Sequence, residues 1–324
     1  MKRKKISVIV PCYNDEKSVV SLCATVREMF GGPLKDYDYD IIYADDDSAD
    51  GTRAKVRELC AADRHVRAVF NMANFGFSRN VFSALQESDG DAAFLVFGDL
   101  QDPPELLPEF VRKWEAGSKV VVGRKIASDE SHIMNWWRNC YYRVIRALSE
   151  KPQIEEFNGY GLYDRRFIEV LRNIGDVQPY LKTVVSEYAP DCASVEYRHH
   201  KSGRGRSNFN FYKNYDFAME GITSSTKKLL RASTYLGAGL GIISVIYALY
   251  VLIRKLTSWN TYPAGLASIM IGVFILGSAE LFFIGILGEY VLSINTRTMR
   301  KPRVIVDERI GFDEEPEKTD DGGH

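Results

Sequence analysis

Three short clusters of acidic residues stand directly after apolar runs in the first hundred or so positions of the chain. They are residues 11–16 (Pro-Cys-Tyr-Asn-Asp-Glu), 45–52 (Asp-Asp-Asp-Ser-Ala-Asp-Gly-Thr) and 98–105 (Gly-Asp-Leu-Gln-Asp-Pro-Pro-Glu). A carboxylate and an amide two residues apart, as in Asp99 and Gln101, offer the hard oxygen ligands that a divalent cation takes while it holds a diphosphate. Loop carboxylates also act as turn and capping residues, and this simpler role is favoured for Asp50 and Asp102.

The elements that would position these clusters alternate between strands and helices over residues 6 to 123. Apolar runs predict strands at 6–10, 40–44, 66–70, 92–97 and 119–122. Amphipathic stretches predict helices at 16–30, 51–62, 78–88 and 104–116. This alternation predicts an α/β domain with a mostly parallel sheet and helices on both faces. The three clusters would then meet at the carboxyl edge of the sheet, where such folds bind their ligands.

The average composition conceals a second, apolar part of the chain. The 324 residues are 45% hydrophobic with a net charge of -1, which is typical of a soluble protein without bias toward nucleic acid. Residues 232–296, however, contain only four charged side chains: Arg254, Lys255, Glu280 and Glu289. The runs 232–253 and 264–288 can each cross a hydrocarbon layer of roughly 30 Å as a helix. We expect a transmembrane hairpin, and the alternative is a buried helical hairpin in a soluble domain.

The flanking charges predict how this hairpin is oriented. Seven basic residues stand outside its two ends: Lys227, Lys228, Arg231, Arg297, Arg300, Lys301 and Arg303. The loop between the two runs has only Arg254 and Lys255. Positive residues favour the cytoplasmic side, so we expect a multi-pass protein of the inner (plasma) membrane with its N-terminal domain in the cytoplasm. Five cysteines without a Cys-x-x-Cys pair are typical of reduced thiols in that compartment.

The segments on either side of the hairpin also have distinct compositions. Aromatic residues and lysines are mixed over 208–231, which suits amphipathic helices in the membrane interface or packing against the soluble domain. Residues 297–324 begin basic and become acidic, with eight acidic and two basic residues from Asp307 onward. We expect this acidic tail to be disordered.

Taken in order, the motifs resemble glycosyltransferase family 2. Within that family they are similar to the membrane-anchored polyprenyl-phosphate glycosyltransferases, of the dolichol-phosphate mannose synthase and undecaprenyl-phosphate glucosyltransferase kind. The segments that carry the resemblance span nearly the whole chain and lie at residues 8–16, 45–48, 74–76, 99–105, 159–165, 205–207 and 285–290. Each motif alone is weak to moderate, but their order and the following apolar hairpin make the resemblance specific.

The resemblance implies a fold and an activity. The fold is α/β, with a GT-A (Rossmann-like) nucleotide-sugar domain over 1–207, interfacial helices over 208–231, the hairpin over 232–296 and a cytoplasmic tail over 297–324. The implied reaction moves one sugar, expected to be a UDP-linked hexose, onto a polyprenyl phosphate at the cytoplasmic membrane face with inversion. The implied cofactor is Mg²⁺ or Mn²⁺, and a homo-oligomer is possible.

The resemblance also implies roles for individual residues. The nucleotide sugar would be bound by Pro11, Tyr13, Asn14, Glu16, Asp45, Asp46 and Asp99. The metal ligands would be Asp99 and Gln101, and the catalytic residues would be Asp99 and Glu156. For the acceptor phosphate, a glycine-rich basic loop offers Lys201, Arg204, Arg206 and Ser207, because arginine side chains suit phosphate oxygens. A general lipid-binding basic patch is the alternative for that loop.

Three features of the sequence depart from the family pattern. Family members usually have an acid two residues before Asp99, where this chain has Phe97, and an arginine where it has Gly161. The expected catalytic aspartate is also missing, and Glu155 and Glu156 are the nearest acids. A lipid monophosphate has a second pKa of about 6, so it is largely a dianion near pH 7 and needs little help from a base. Magnesium can be held by one or two carboxylates together with substrate phosphates.

Two other functions are open at this stage. A processive polysaccharide synthase shares the soluble fold, but it carries a Gln-x-x-Arg-Trp motif and more spanning helices, and none of the four tryptophans here fits that motif. A catalytically degenerate membrane scaffold is the second alternative, because Phe97 and Gly161 replace residues that the family uses.

Overall fold

A computed structural model describes residues 3–127, 154, 157–177, 179–198, 266–299 and 301–312, together with eight positions between 235 and 257. The chain divides into two compact units. One contains the β-sheet and its helices, and the other contains a long apolar helix.

The described part of the first unit contains strands and helices in alternation over its first half. The strands are β1 (Lys5–Cys12), β2 (Asp38–Asp45), β3 (Val66–Asn71), β4 (Ala92–Leu95), β5 (Val120–Ala127), β6 (Gly161–Asp164), β7 (Ala193–Arg198) and β8 (Val306–Ile310). The helices are α1 (Val19–Gly31), α2 (Thr52–Ala62), α3 (Phe77–Gln86), α4 (Leu107–Glu115), α5 (Arg165–Asn173) and α6 (Leu181–Tyr188). A short 3-10 turn, Pro104–Leu106, precedes α4. The second unit contains α7 (Leu266–Thr298).

All eight strands join one sheet in the order β7-β5-β6-β4-β1-β2-β3-β8. Its centre, β4-β1-β2-β3, is parallel. Strand β6 is antiparallel to both neighbours, and β8 is antiparallel to β3. The predicted α/β fold is confirmed, but the sheet is mixed because the three strands that the sequence pattern did not predict include both antiparallel ones.

The core explains why the central strands read as continuous apolar runs. Ile6, Val8, Ile9 and Val10 of β1 are completely buried, which is the pattern of a parallel strand covered on both faces. Helix α1 packs its buried residues Val19, Leu22 and Val26, spaced three and four apart, against this sheet. The Tyr43 hydroxyl of β2 donates a hydrogen bond to the Val19 carbonyl at 2.8 Å and fixes the start of α1.

Two predicted boundaries are wrong for local reasons. The helix predicted from residue 16 begins at Val19, and the main-chain N–H groups of Asp15 and Glu16 before it donate to the side chains of Thr52 and Asp50. The strand predicted to reach residue 97 ends at Leu95. Main-chain hydrogen bonds from residues 96 and 98 to β1 nevertheless keep the following segment beside it.

The expectation of a disordered tail from Asp307 onward is wrong for its first residues, which form β8. Val306 lies opposite Asn71, and Ile310 lies opposite Ala68. The charges are paired across the surface: Glu308 accepts from Arg57 at 2.6 Å, and Arg309 donates to Glu87 at 2.8 Å. Half-buried and exposed residues alternate along β8, and its charged residues suit a strand at the sheet edge.

Helix α7 lies where the second apolar run was predicted. Its 33 residues correspond to about 50 Å at 1.5 Å per residue, and it continues to Thr298 past the predicted end at 288. Within the described residues, one helix is long and apolar enough to cross a membrane, judged by length and composition. The interfacial segment 208–231 and most of the first run, 232–253, lie outside the described residues.

Candidate active site

The three acidic clusters lie together at the carboxyl ends of β1, β2 and β4. From β1 the chain connects to β2 on one side, and later to β4 on the other, so the order reverses between β1 and β4. Gly98 donates its N–H to the Pro11 carbonyl at 3.3 Å, and Asp46 donates its N–H to the Cys12 carbonyl at 3.1 Å. Such a switch point is where open α/β sheets form their ligand crevice.

The loop after β1 is fastened to the loop after β2. Asn14 has a positive φ of 56°, donates its N–H to the Ser48 hydroxyl at 2.8 Å, and accepts the Ala49 N–H at 2.9 Å. Pro11 is buried within β1, whereas the Tyr13 side chain is 38% exposed. This geometry leaves the Tyr13 ring at the surface, next to a loop that is held rigidly.

The Glu16 carboxylate is directed toward the start of α2. It accepts the Gly51 N–H at 3.3 Å and lies 3.4 Å from the Lys55 ammonium. A Cβ atom on Gly51 would lie 2.7 Å from the Glu16 side chain, so a larger residue at this position would require that side chain to move. These contacts fix the β1 loop on α2.

Asp45, at the end of β2, is completely buried and ionically paired. It accepts from the Ser48 N–H at 3.0 Å and from Arg53 Nε at 2.7 Å, and also from the Ser48 hydroxyl. Arg53 donates in addition to the Asn71 carbonyl at the end of β3. The charge of Asp45 is therefore compensated within the protein, and Arg53 links the ends of β2 and β3.

Asp46 organises the loop between β3 and α3. Its Oδ1 atom accepts from the Asn71 side chain at 2.9 Å and from the Phe75 N–H at 3.0 Å, and Oδ2 accepts from the Gly76 N–H at 2.9 Å. Burial raises the pKa of Asp46, and these hydrogen bonds act in the opposite direction. The Asp46 carboxylate thus binds the main chain of residues 72–76, which we call the β3-α3 loop.

Asp99 and Gln101 form a tight turn after β4. Both are half-buried, the Asp99 Oδ1 atom accepts the Gln101 N–H at 3.2 Å, and Leu100 between them has a φ of 56°. This is the side-chain turn that aspartate forms readily in loops. It brings the Asp99 carboxylate and the Gln101 amide into one short segment at the switch point.

Asp15 is a site residue that the sequence assignment missed. It is 3% exposed, accepts the Tyr13 N–H at 3.1 Å, and donates its own N–H to the Thr52 hydroxyl at 2.8 Å. A Cβ atom on Gly98 would lie 2.8 Å from the Asp15 carboxylate. The β1 loop therefore touches the segment that carries Asp99. The sequence signal that could have identified Asp15 is its place in the first acidic cluster, which was predicted to meet the cluster that contains Gly98.

The residues of the turn are compatible with a divalent cation that substrate also binds. Among the described residues, no group of three or more His, Cys, Asp or Glu side chains could hold a metal by itself. Asp99 and Gln101 contribute one carboxylate and one amide, which fits Mg²⁺ or Mn²⁺ completing its shell with phosphate oxygens and water.

Asp102 and Asp50 have the structural roles that the sequence favoured. Asp102 is 1% exposed and accepts from the Tyr197 hydroxyl at 2.5 Å and the Asn158 amide at 3.0 Å, which ties the loop after β4 to β7. Burial raises the pKa of Asp102 despite these bonds. For Asp50, burial acts to raise the pKa, but hydrogen bonds from Thr52 and Glu16 outweigh it and lower the value.

Two of the three departures from the family pattern have local explanations. Phe97 is 9% exposed and packs on Phe77 with ring centroids 5.2 Å apart, so it belongs to the apolar core beside Asp99. Gly161 lies in β6, where a Cβ atom would come within 2.5 Å of the Val121 carbonyl. An arginine at that position is therefore incompatible with this strand pairing.

Five predicted residues lie outside the described part of the chain. They are the candidate base Glu156 and the acceptor-phosphate candidates Lys201, Arg204, Arg206 and Ser207. Their roles stay predictions.

The parallel centre, the switch point and the acidic loops at its carboxyl edge define a Rossmann-like nucleotide-binding α/β protein. Residues 7–189 match the family model described as glycosyl transferase family 2. Since this match covers more than half of the chain, the protein belongs to glycosyltransferase family 2 and has the GT-A fold that the sequence resemblance implied.

The similar proteins extend over almost the full length of the chain. It is 31% identical to a bactoprenol glucosyl transferase of Shigella phage SfX, covering 94% of this chain and 99% of the relative. It is 29% identical to a prophage bactoprenol glucosyl transferase homolog of Escherichia coli strain K12, covering 93% and 98%. Among solved structures, a mannosyltransferase from Pyrobaculum calidifontis in complex with GDP-Man and Mn²⁺ is 15% identical over 93% of this chain and 89% of that one, with a TM-score of 0.45.

Proposed function

We propose that this protein transfers a single hexose from a UDP-sugar to a polyprenyl phosphate at the cytoplasmic face of the plasma membrane. The observation that carries the proposal is the Asp99–Gln101 turn at the switch point, in contact through Gly98 with the β1 loop. Relatives that match the whole chain and are named bactoprenol glucosyl transferases support a lipid phosphate as the acceptor.

The nucleotide would lie across the loops after β1 and β2. In this arrangement the exposed Tyr13 side chain and the rigid segment at Asn14 contact the base and ribose. Asp45 and Asp46 keep the loops after β2 and β3 in place through Arg53 and Asn71. The chain thus offers a preformed surface, which lowers the conformational cost of binding.

Asp99 and Gln101 would hold the divalent cation, which when bound neutralises charge on the leaving diphosphate. The lipid phosphate, largely a dianion near pH 7, attacks the anomeric carbon with one oxygen. The bond from that carbon to the diphosphate oxygen breaks, the nucleoside diphosphate leaves with the electron pair, and in-line displacement inverts the configuration. The protein's main tasks are to position both reactants and to exclude water.

Glu156 is the candidate base, and Lys201, Arg204, Arg206 and Ser207 are the candidates for holding the acceptor phosphate.

The membrane arrangement follows from the acceptor. A polyprenyl chain stays in the bilayer, so the catalytic domain has to work at its surface. We propose that α7 and the run 232–253 form a two-helix anchor, that 208–231 lies in the interface, and that both outer ends face the cytoplasm. Glu280 and Glu289 on α7 would then face protein or lipid head groups, because a carboxylate in the hydrocarbon layer is costly.

The test is a transfer assay with the purified full-length protein in detergent. Undecaprenyl phosphate and a set of labelled nucleotide sugars are supplied with Mg²⁺ or Mn²⁺, and lipid-linked label is extracted. We expect label in the lipid fraction with at least one UDP-hexose. No lipid-linked sugar with any nucleotide sugar would contradict the proposal.

A further inference from the structure

The β3-α3 loop connects two elements that border the candidate nucleotide site. It begins at Met72, directly after β3, and ends at Gly76, directly before α3. The main-chain N–H groups of Phe75 and Gly76 donate hydrogen bonds to the Asp46 carboxylate. Whatever fixes the two ends of this loop therefore also fixes the surroundings of Asp46.

Residues 301–312, which we call the C-terminal strap, hold the first end of this loop. The Met72 N–H donates to the Ile305 carbonyl at 2.9 Å, and Val306 pairs with Asn71 in the sheet. The Asn71 side chain donates in turn to Asp46 at 2.9 Å. Asn71 alone therefore connects the strap to the Asp46 carboxylate of the candidate site.

The same strap also contacts α3, the helix that follows the loop, through Arg303. Its guanidinium lies over the Phe82 ring of α3 at 4.9 Å and donates to the Gln86 side chain at 2.7 Å. Its other N–H groups donate to the carbonyls of Asp176, at 2.7 Å, and Ile174. These carbonyls follow the end of α5, so one side chain joins the strap to two helices.

We propose that the C-terminal strap positions the β3-α3 loop for nucleotide-sugar binding and that Arg303 is its positioning residue. The inference rests on the proposed function, since it assigns the loop to the nucleotide site. A loop whose flanking elements, β3 and α3, are both held loses less freedom when a ligand binds, so loss of the Arg303 contacts weakens binding of the nucleotide sugar. In the sequence the strap follows α7 almost directly, so the segment that leaves the apolar helix is also the one that holds this loop.

The experiment compares two Arg→Met variants on the strap of the full-length protein. Arg303→Met removes the contacts to Phe82 and Gln86 of α3 and to the end of α5. Arg309→Met removes a surface pair with Glu87, the residue that follows α3, and such a pair contributes little. Kinetics are measured separately for the nucleotide sugar and for undecaprenyl phosphate, and UDP affinity is measured by calorimetry. Arg303→Lys, which keeps the charge and the alkyl stem, tests rescue.

We expect Arg303→Met to raise the KM for the nucleotide sugar and the Kd for UDP about fivefold, in line with the loss of hydrogen bonds of ordinary strength. The kcat and the KM for the lipid should not change. Arg303→Lys should recover part of the loss, and Arg309→Met should match the wild type. Equal UDP affinity in the two Met variants, or a parallel loss in all kinetic constants, would overturn the proposal.

The outcomes separate this inference from the proposed function. If the wild type binds UDP but makes no lipid-linked sugar, the proposed function fails while the UDP affinities still decide the role of the strap. If Arg303→Met does not fold, the UDP affinities of Arg303→Lys and Arg309→Met are compared instead. Weaker binding by Arg303→Lys supports the role of the strap, and equal affinities contradict it. Wild-type protein that does not bind UDP contradicts both.

Discussion

The Asp46 carboxylate accepts the main-chain N–H of Gly76 at 2.9 Å, directly before the first turn of α3. Gly76 has a φ of +93°, a conformation that glycine adopts at little cost. The negative charge thus lies at the positive end of the helix dipole, in addition to its bonds with Phe75 and Asn71. One buried acid directly after β2 therefore bonds both the last residue of β3 and the residue before α3.

Asp46→Asn should destabilise the protein, because an asparagine has one acceptor oxygen and cannot accept all three bonds. Leaving a buried N–H unpaired costs about 1–3 kcal/mol. For a unit of this size, each kcal/mol corresponds to a fall of about 2–4 °C in the midpoint of thermal unfolding. The control is Asp47→Asn, since Asp47 is exposed and its 3.5 Å pair with Arg53 is at the surface. Equal midpoints for the two variants would contradict the role of Asp46.

The stability contributed by Asp102 should depend on pH. Burial raises the pKa of Asp102 above its ordinary value of 3.8, so folding favours the protonated acid. Its contribution is therefore complete below about pH 3.8 and is lost as the pH rises through the folded-state value. Asp102→Asn removes this titration, so the unfolding midpoint of the wild type should fall relative to the variant as the pH rises from 4 toward neutrality. A constant difference across this range would show that Asp102 does not titrate as described.

Asp99→Ala should abolish transfer and leave membrane insertion intact. Removing a group that stabilises charge in the transition state typically costs about 100-fold or more in rate. Calorimetry should also show that Mn²⁺ no longer strengthens nucleotide-sugar binding. Asp36→Ala is the matched control, because Asp36 is exposed and lies before β2, away from the carboxyl edge. Retention of metal-dependent binding in Asp99→Ala would exclude Asp99 as a metal ligand.

Gly161→Ala should destabilise the sheet, because the new Cβ would lie 2.5 Å from the Val121 carbonyl. Forcing an extra carbon into a well-packed core typically costs about 1–3 kcal/mol. Gly175→Ala adds the same atom where nothing lies within 4 Å, so its unfolding midpoint should be unchanged or slightly higher. If both variants unfold at the wild-type temperature, the close packing of β6 against β5 is not as described.

Much of this site could be predicted from the sequence because its signals are local. The segments before Asp45 and Asp99 are apolar, and an acidic residue follows each of them. The same pattern therefore predicts both the ends of the strands and the residues of the site. The strap was missed because β8 has three consecutive charged residues, Asp307 to Arg309, and pairs with a strand more than 200 positions earlier. The tight contact at Gly161 also depends on a neighbouring strand, Val120–Ala127, whose pairing no sequence pattern reveals.

The most direct measurement is the mass of the lipid product formed by the purified full-length protein from undecaprenyl phosphate and a UDP-hexose. We predict one new species, heavier than the acceptor by a single hexose, that requires Mg²⁺ or Mn²⁺ and is absent with Asp99→Ala. A ladder of longer products would indicate a processive synthase. The absence of any sugar-bearing lipid with every nucleotide sugar, in a protein that is folded and inserted, would contradict the proposed function.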